Sequence, residues 1–310
     1  MIPNENYNLS YASGQFAVGK LGWESVTIAG LHVPKLEVGL IDYAYWPGGP
    51  AGYIGLGYPA NADDAWHGND PTKDGQPGHG RIQQETLFQT MMKDKIVPPM
   101  FSLALERPVS NSSTADQGYI AFGGLPPVQA DGPFTCSPIL LDPDFSNKSL
   151  TEYTIIVDDF TFPGYAAPNT SHSPGKTKGK TVVDCGSYPI LAPPEVAEAY
   201  SELFNPPAIY VKDWGTYVTR CDAEGPKEPF MIVINGTGFA IPGSDFVFGN
   251  AVMSGLGVPP GKYDDYCFSG LQGAGPVGIS TFLLGRPFLE NVVAVFDVGA
   301  REMRFAPRKY

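Results

Sequence analysis

Short runs of apolar residues, separated by turns rich in glycine and proline, recur along the whole chain. Apolar and polar residues alternate over residues 24–40 around a central glycine, which predicts a β-hairpin because successive side chains of a strand point to opposite faces. A second hairpin is predicted at residues 230–241, where Asn235-Gly236 supplies a tight turn. Apolar residues at helical spacing predict a short helix at residues 85–95. They predict a second helix that starts at Pro193-Pro194 and ends at Pro206-Pro207, and the residues expected on its inner face are Val196, Ala199, Tyr200 and Leu203. The pattern therefore predicts a mostly β fold.

One stretch combines a strand pattern with a chemically useful side chain. Thr181-Val182-Val183 predicts a strand that runs into Asp184-Cys185-Gly186, and a strand end followed by a glycine turn holds a carboxylate on rigid backbone. About a hundred residues later, Phe282-Leu283-Leu284-Gly285 predicts a buried strand that covers the first. Asp184 is thus a candidate for one half of a paired-carboxylate site. The alternative is purely structural, since Asp-x-Gly is also a common turn.

The two halves of the chain repeat one plan. Each half has a hairpin region, a loop and an apolar run that ends in glycine, at Ile54-Gly55 in the first half and at Leu284-Gly285 in the second. The first half has no counterpart of Asp184. We therefore expect the matching strand to lie upstream of the first residue.

Composition narrows the possible functions. The 310 residues include 37 glycines and 31 prolines, a density that breaks helices and favours strands joined by turns. The formal net charge is −12, and an acidic surface repels phosphate backbones, which argues against nucleic-acid binding. No run of about 18 apolar residues is present, so no membrane-spanning helix is expected. The four histidines show no ligand spacing and no Cys-x-x-Cys pair occurs, so neither a metal site nor a cofactor is expected.

Five Asn-x-Ser/Thr acceptors for N-glycosylation favour a secreted, glycosylated protein. They begin at Asn8, Asn111, Asn147, Asn169 and Asn235. No secretory signal opens the sequence, so we expect the start of the secreted protein to be missing. The chain also has four cysteines, which allow three disulfide pairings. The cysteines are Cys136, Cys185, Cys221 and Cys267.

Six segments, in order along the chain, carry a family resemblance. They are Tyr11-Ala12-Ser13-Gly14, Ala51-Gly52-Tyr53-Ile54-Gly55-Leu56-Gly57, Gly118-Tyr119-Ile120-Ala121-Phe122-Gly123-Gly124, Val183-Asp184-Cys185-Gly186-Ser187, Phe282-Leu283-Leu284-Gly285 with Phe288-Leu289, and Val295-Phe296-Asp297-Val298-Gly299 with Phe305-Ala306-Pro307. This set resembles the motifs of the pepsin-like aspartic endopeptidases that filamentous fungi secrete. The resemblance covers essentially the whole chain, and the combination is far more specific than any one motif.

The resemblance implies a mostly β, bilobal, pepsin-like acid protease fold with the first lobe incomplete. Residues 1–136 would be the remnant of the N-terminal lobe, including the flap, and residues 137–310 the C-terminal lobe with the second catalytic Asp motif. It further implies a secreted monomer that binds a peptide or protein substrate in the cleft between the lobes. The implied reaction is hydrolysis of peptide bonds at acid pH by a water molecule that paired aspartates activate.

Carried over position by position, the resemblance assigns roles to individual residues. Asp184 is implied to be the catalytic aspartate of the second motif, and Tyr11 the tyrosine of the flap. The residues implied to contact or position the substrate are Tyr11, Ser13, Gly14, Gly186 and Ser187. A disulfide is implied between Cys221 and Cys267, with the other two cysteines unpaired.

The chain also departs from the family pattern. It contains no Asp-Thr-Gly or Asp-Ser-Gly, so we expect that the first catalytic aspartate is missing, together with roughly sixty to eighty residues before the flap. Cys185 stands where the family has Thr or Ser, Arg286 where it has Asp, and Ala12 where it has Gly. A lone Asp184 has no second carboxylate with which to activate water, so this chain is expected to be inactive by itself. The alternative function is a non-catalytic pepsin-like module that binds peptides or proteins without cutting them.

Overall fold

The structure, a computed structural model, describes residues 1–11, 14–45, 52–59, 64–107, 118–141, 150–165, 178–248, 261, 263–275 and 282–310. In these ranges the chain is mostly β, as the sequence predicts. The strands are β1 Glu5–Ser10, β2 Phe16–Ile28, β3 Leu31–Tyr45, β4 Ala65–His67, β5 Met100–Leu105, β6 Gly118–Phe122, β7 Thr135–Pro138, β8 Thr154–Val157, β9 Asp159–Thr161, β10 Gly179–Val183, β11 Ile190–Ala192, β12 Ile209–Val211, β13 Thr216–Arg220, β14 Phe230–Ile234, β15 Thr237–Ile241, β16 Tyr266–Phe268, β17 Leu271–Gly273, β18 Phe282–Leu284, β19 Val292–Asp297 and β20 Glu302–Pro307. The helices are α1 Leu87–Lys93, α2 Pro194–Ser201 and α3 Arg286–Leu289, and 3₁₀ turns lie at Pro71–Lys73 and Gly243–Phe246.

The described residues divide into two compact units. The first unit is built mainly from Met1–Pro98, and the second from Pro99–Leu140 together with the described residues that follow Glu152. The lobe boundary that the sequence predicts between residues 136 and 137 stays a prediction. Each unit is described by itself below.

A four-stranded sheet in the order β3-β2-β1-β4 forms the first unit. Its strands are antiparallel, and the predicted hairpin is confirmed by the pairing of β2 with β3. Ala29 and Gly30 make the turn at φ values of 50° and 78°, the left-handed pair that is typical of two-residue hairpin turns. Leu21 on β2 and Val33 on β3 have no solvent exposure, so the sheet buries one face.

Apolar side chains also lie on the surface of the first unit. Leu40, Ile41, Tyr43 and Tyr45, near the end of β3, are between 40% and 67% exposed. Residues 52–57, which echo the run at 282–285, form no strand, and Ile54 is 58% exposed. Within the described residues, this unit therefore leaves apolar surface open to solvent.

Both predicted helices are present, and each is shorter than its sequence pattern. α2 begins at Pro194, where the fixed φ of proline suits the first turn of a helix. Val196 and Tyr200 are buried on its inner face. The prediction that Leu203 shares this face is wrong, because α2 ends at Ser201 and Leu203 is 44% exposed. In the part of the chain that the structure describes, no helix has the length and apolar character needed to cross a membrane.

The second unit has several sheets around an aromatic core. Their strand orders are β17-β11-β18-β10-β8, β12-β13-β16, β15-β14-β9 and β6-β5-β19-β20-β7. The rings of Tyr200, Phe230 and Phe246 meet edge to face, with centroids 5.1–5.8 Å apart. The hairpin predicted at Asn235-Gly236 is confirmed as the turn between β14 and β15, with φ values of 47° and 74°.

Candidate active site

Asp184 directly follows β10, a strand inside the five-stranded sheet of the second unit. β10 (Gly179–Val183) runs parallel to β18 (Phe282–Leu284), with Val183 opposite Leu284. The backbone N–H of Asp184 extends this pairing by donating to the carbonyl oxygen of Leu284 at 3.1 Å. β18 lies between β10 and β11. The apolar run predicted to cover the Asp184 strand is therefore its direct neighbour.

Two donors from its own turn orient the Asp184 carboxylate. The backbone N–H of Gly186 donates to Oδ1 at 2.8 Å, and the hydroxyl of Ser187 donates to Oδ2 at 2.6 Å. Asp184 is partly exposed, and each carboxylate oxygen has about two acceptor positions. Both oxygens therefore retain the capacity to bind a water molecule or a substrate. The structure brings Asp184, Gly186 and Ser187 together in one turn.

A close approach of two backbones holds this turn from the other side. A Cβ atom on Gly285 would lie 2.2 Å from the carbonyl oxygen of Pro189 and 2.7 Å from that of Ser187, so only glycine fits. The next residue, Arg286, donates its backbone N–H to the carbonyl oxygen of Ser187 at 3.1 Å. The turn at residues 184–189 is therefore fixed against the start of α3.

The side chain of Arg286 forms an ion pair within α3. Its Nε lies 2.5 Å from Oε1 of Glu290, four residues later. Glu290 is only 2% exposed, and this burial raises the pKa of its carboxyl group, while the hydrogen bond and positive charge of Arg286 act in the opposite direction. Arg286, which stands where the family has Asp, thus places a positive charge beside the buried carboxylate of Glu290.

Cys185 is a free thiol beside the candidate carboxylate. The residue as a whole is exposed, but its thiol is desolvated by the surrounding protein. Desolvation there, and then the negative charge of Asp184, raise the pKa of Cys185 to about 11. The thiol is therefore protonated at acid and neutral pH. Because the thiolate is the nucleophilic form of cysteine, Cys185 is poorly suited to act as a nucleophile.

The segment that resembles the flap tip lies in the first unit, at the end of the β1–β2 hairpin. The backbone N–H of Tyr11 donates to the carbonyl oxygen of Gln15 at 2.8 Å, and the N–H of Gly14 donates to that of Tyr11 at 2.9 Å. Gly14 has φ of +83°, which favours glycine. Ser13 lies outside the described residues. Tyr11, 41% exposed, is thus presented on a tight turn.

A disulfide joins Cys221 and Cys267 in the second unit. It ties the end of β13 to β16, the two neighbouring strands of a three-stranded sheet. Cys136, on β7, is a free thiol like Cys185. The cross-link therefore reinforces one sheet and leaves the candidate active-site turn unlinked.

Tyr188 is a residue of this turn for which the sequence predicts no role. It follows Ser187 directly, and its side chain is 48% exposed. Its ring meets Phe248 edge to face, with centroids 6.1 Å apart. The one signal in the sequence is its position inside the Asp-Cys-Gly-Ser-Tyr segment, which does not reveal its exposure.

Metal binding finds no support in the described ranges. Among these residues, no group of three or more His, Cys, Asp or Glu side chains is arranged to hold a metal ion. The turn itself presents an oriented carboxylate with neighbouring N–H and O–H donors.

The fold is that of the pepsin-like aspartic proteases. The crystal structure of an aspartic proteinase from Irpex lacteus superposes with a TM-score of 0.71 over 99% of this chain and 82% of that chain, at 16% sequence identity. The family model described as eukaryotic aspartyl protease matches residues 2–308. This chain belongs to the eukaryotic aspartyl protease family.

Curated relatives agree with this assignment. A probable aspartic-type endopeptidase of Aspergillus fumigatus is 34% identical over 98% of this chain and 64% of the relative. An acid protease of Saccharomycopsis fibuligera is 26% identical over 98% of this chain and 67% of its own length. Barrierpepsin of Saccharomyces cerevisiae is 25% identical over 96% of this chain and 45% of its own length. The chain thus spans about two thirds of the length of these relatives or less.

Proposed function

We propose that this chain belongs to an aspartic-type endopeptidase. Asp184 is one of the two carboxylates that activate water in this enzyme for the hydrolysis of peptide bonds at acid pH. The observation that carries the proposal is the orientation of the Asp184 carboxylate. Gly186 and Ser187 each donate to a different oxygen, at 2.8 Å and 2.6 Å. Membership of the aspartyl protease family supports the same function.

The chemistry needs a second carboxylate close to the first. Two carboxylates at hydrogen-bond distance share one proton, because like charges this close do not both ionise easily, and aspartic proteases are the standard example of this coupling. The ionised group accepts a proton from a bound water while the protonated group polarises the carbonyl of the peptide bond. The pair titrates as a unit. In the proposed reaction the Asp184 turn supplies one of these groups in a fixed orientation.

The remaining roles follow from the matched positions. Gly186 and Ser187 are proposed to hold the carboxylate and to contact the peptide, and Tyr11, Ser13 and Gly14 are proposed to contact the peptide from the β1–β2 hairpin. The 310 residues contain no Asp-Thr-Gly or Asp-Ser-Gly. The second carboxylate therefore has no motif-matched candidate within them, and we expect little or no cleavage by the 310-residue chain alone.

Substitution of Asp184 tests the proposal. The substitution is made in the native gene, and the protein is purified from the cells that express it. Asp184→Asn keeps the shape and removes the charge, so we expect at least a thousandfold loss of acid peptidase activity, roughly the scale of losing an essential acid–base group. The readout is cleavage of a denatured protein at acid pH, with and without a transition-state-like peptide inhibitor.

A second Asp-x-Gly turn in the same unit gives a matched control. Asp213-Trp214-Gly215 links β12 to β13, and Asp213 is exposed. Asp213→Asn should leave cleavage unchanged within about twofold, as is usual for a surface change. Activity that survives Asp184→Asn and resists the inhibitor would overturn the proposed function.

A non-catalytic peptide-binding module is the second candidate. It is favoured by Cys185, whose thiol is a poorer hydrogen-bonding group than the hydroxyl of the family's Thr or Ser. A protein of this kind would bind the inhibitor yet cleave nothing at any acid pH. The same assay, with inhibitor binding measured by calorimetry, separates the two candidates.

We propose that the protein is secreted and acts outside the cell. Two of the five glycosylation acceptors lie in the described residues, and they differ. Asn235 is exposed on the β14–β15 turn, where its side-chain amide donates to the carbonyl oxygen of Cys136 at 3.2 Å. Asn8 is partly buried, and its side-chain amide donates to Oδ2 of Asp74 at 2.7 Å. An exposed acceptor such as Asn235 tolerates a bulky glycan, which supports passage through the secretory pathway.

A further inference from the structure

We propose that Asn235 carries an N-linked glycan and that this glycan shields the free thiol of Cys136 from other protein molecules. The inference adds a modification site and a role for the attached sugar. It rests on the proposed secretion, because N-linked glycans belong to secreted proteins. It does not depend on the catalytic role of Asp184.

The acceptor Asn235 lies at the tip of a tight turn and is open to modification. Asn235 and Gly236 are both exposed and join β14 to β15, and Thr237 completes the Asn-x-Thr acceptor. In the transfer, Nδ2 of Asn235 bonds to the first sugar of a lipid-linked oligosaccharide, the lipid diphosphate leaves, and Nδ2 loses one proton. Because an asparagine amide has two hydrogens, the one that remains can still donate to the carbonyl oxygen of Cys136, which lies 3.2 Å away.

The acceptor at Asn8, which also lies in the described residues, is unsuited to a glycan. Its Nδ2 donates to Oδ2 of Asp74 at 2.7 Å and lies 3.5 Å from the carbonyl oxygen of Pro71. This nitrogen therefore faces the 3₁₀ turn Pro71–Lys73, and a sugar attached to it would displace that turn from β1. We expect the folded protein to carry an unmodified Asn8.

The β14–β15 turn lies against the strand that contains Cys136. Cys136 is the second residue of β7, a strand at the end of its sheet. Both ends of the turn contact β7. Asn235 donates to the carbonyl oxygen of Cys136, and the hydroxyl of Thr135 donates to the hydroxyl of Thr237 at 2.9 Å. A glycan on Asn235 therefore starts within hydrogen-bond distance of the Cys136 backbone.

The thiol of Cys136 needs protection in an oxidising environment. Cys136 is unpaired and partly exposed, and an unpaired cysteine of a secreted protein tends to pair with another molecule. Joining two copies through Cys136 releases two protons and two electrons, which a small-molecule disulfide accepts. A bulky glycan beside the thiol keeps a second protein molecule away from it. The glycan thus keeps the secreted protein monomeric.

Peptide mapping by mass spectrometry tests the modification in the protein secreted by cells that carry the native gene. We expect a glycan on Asn235 and none on Asn8. Thr237→Ala destroys the acceptor and should remove the glycan, whereas Thr237→Ser, the matched control, preserves the acceptor and should retain it. A secreted protein with unmodified Asn235, or with a glycan on Asn8, would overturn the assignment.

Labelling with a maleimide that carries polyethylene glycol tests the shielding. Enzymatic removal of the glycan should speed up the labelling of Cys136 by about tenfold, because a bulky neighbour no longer blocks the reagent. Cys185, the free thiol beside Asp184, is the internal control and should react at an unchanged rate. A constant rate at Cys136, or an equal increase at Cys185, would overturn the shielding role.

The oligomeric state gives a second readout of shielding. The Thr237→Ala protein should form disulfide-linked dimers under oxidising conditions, and the added substitution Cys136→Ser should abolish them. Thermal unfolding checks that each variant is folded. Dimers that persist without Cys136 would overturn the inference. Failure of the proposed function has a different signature, which is cleavage that survives Asp184→Asn.

Discussion

At the scale of single residues, Gly285 is a position beside the Asp184 turn where no side chain fits. In Gly285→Ala the new methyl group would lie 2.2 Å from the carbonyl oxygen of Pro189, so either the turn or α3 must move. We expect the free energy of unfolding to fall by about 1–3 kcal/mol, as for other overpacked sites. Denaturant unfolding monitored by fluorescence measures the change.

Gly124→Ala provides the control for this prediction. A Cβ atom on Gly124 would meet nothing within 4 Å, so a change below about 0.5 kcal/mol is expected. Equal losses of unfolding free energy in the two variants would contradict the prediction, because they would show that the close contact with Pro189 is not the cause of the destabilisation.

Local chemistry explains which site residues the sequence could predict. Asp184 and Gly186 lie two residues apart, and the hydrogen bond between them depends only on that short segment. The exposure of Tyr188 depends instead on Phe248, sixty residues away along the chain. A contact of this kind cannot be inferred from periodicity in one sequence. The prediction that Leu203 lies on the inner face of α2 was wrong for a related reason. Its position fits the helical spacing, but the helix ends at Ser201.

Among the elements, the sheet of β12, β13 and β16 carries a cross-link whose effect can be measured. Cys221 and Cys267 are 46 residues apart in sequence, and closing a loop of that length stabilises a protein by about 4 kcal/mol on the chain-entropy estimate. The double variant Cys221→Ala with Cys267→Ala should therefore lose roughly this much stability in denaturant unfolding. Cys136→Ala, which removes a free thiol, serves as the control. A double variant as stable as that control would contradict the prediction.

The sequence predicted elements better than it predicted their partners. The hairpins could be predicted because a tight turn forces the two flanking strands to pair. The sequence predicted that the strand at residues 282–285 covers the Asp184 strand, but not that β18 pairs with β10 in parallel, because tertiary packing selects a pairing of segments about a hundred residues apart. β4 (Ala65–His67) was not predicted, because residues 59–80 are polar and rich in glycine, proline and aspartate, a composition typical of a surface loop. Its pairing with β1, and the bond from Trp66 Nε1 to the carbonyl oxygen of Asn8 at 3.1 Å, hold it in place.

On the scale of the whole molecule, each unit contains a carboxyl group, Glu37 or Glu290, whose raised pKa favours folding in acid. In the first unit, burial and the nearby charges of Glu5, Asp64 and Glu85 raise the pKa of Glu37 from 4.5 to about 7. In the second unit, burial raises the pKa of Glu290. Each group binds a proton more readily in the folded state than in the unfolded state. Each therefore favours folding in acid, and its contribution is lost as the pH rises through the folded-state pKa.

The contribution of Glu37 to the pH dependence of folding stability can be measured. Between pH 4.5 and about 7 the folded state holds a proton on Glu37 that the unfolded state has released, so stability falls as the pH rises through that window. Because the side chain is only half-buried, solvent screening reduces the expected loss to about 1–2 kcal/mol.

Thermal unfolding of the first unit across that window measures the effect. In Glu37→Gln the dependence on pH should be smaller than in the wild type. Glu24→Gln, on the neighbouring strand β2, should leave it unchanged because Glu24 is exposed. A wild-type unit whose stability rises across the window would contradict the assignment.

The protonated thiol of Cys185 also has a kinetic consequence. With a pKa of about 11, only about one molecule in ten thousand carries the thiolate at neutral pH. Thiol–disulfide exchange proceeds through the thiolate, so Cys185 attacks other disulfides slowly despite its exposure. In the folded protein, the Cys221–Cys267 bond is therefore protected from exchange with the thiol beside Asp184.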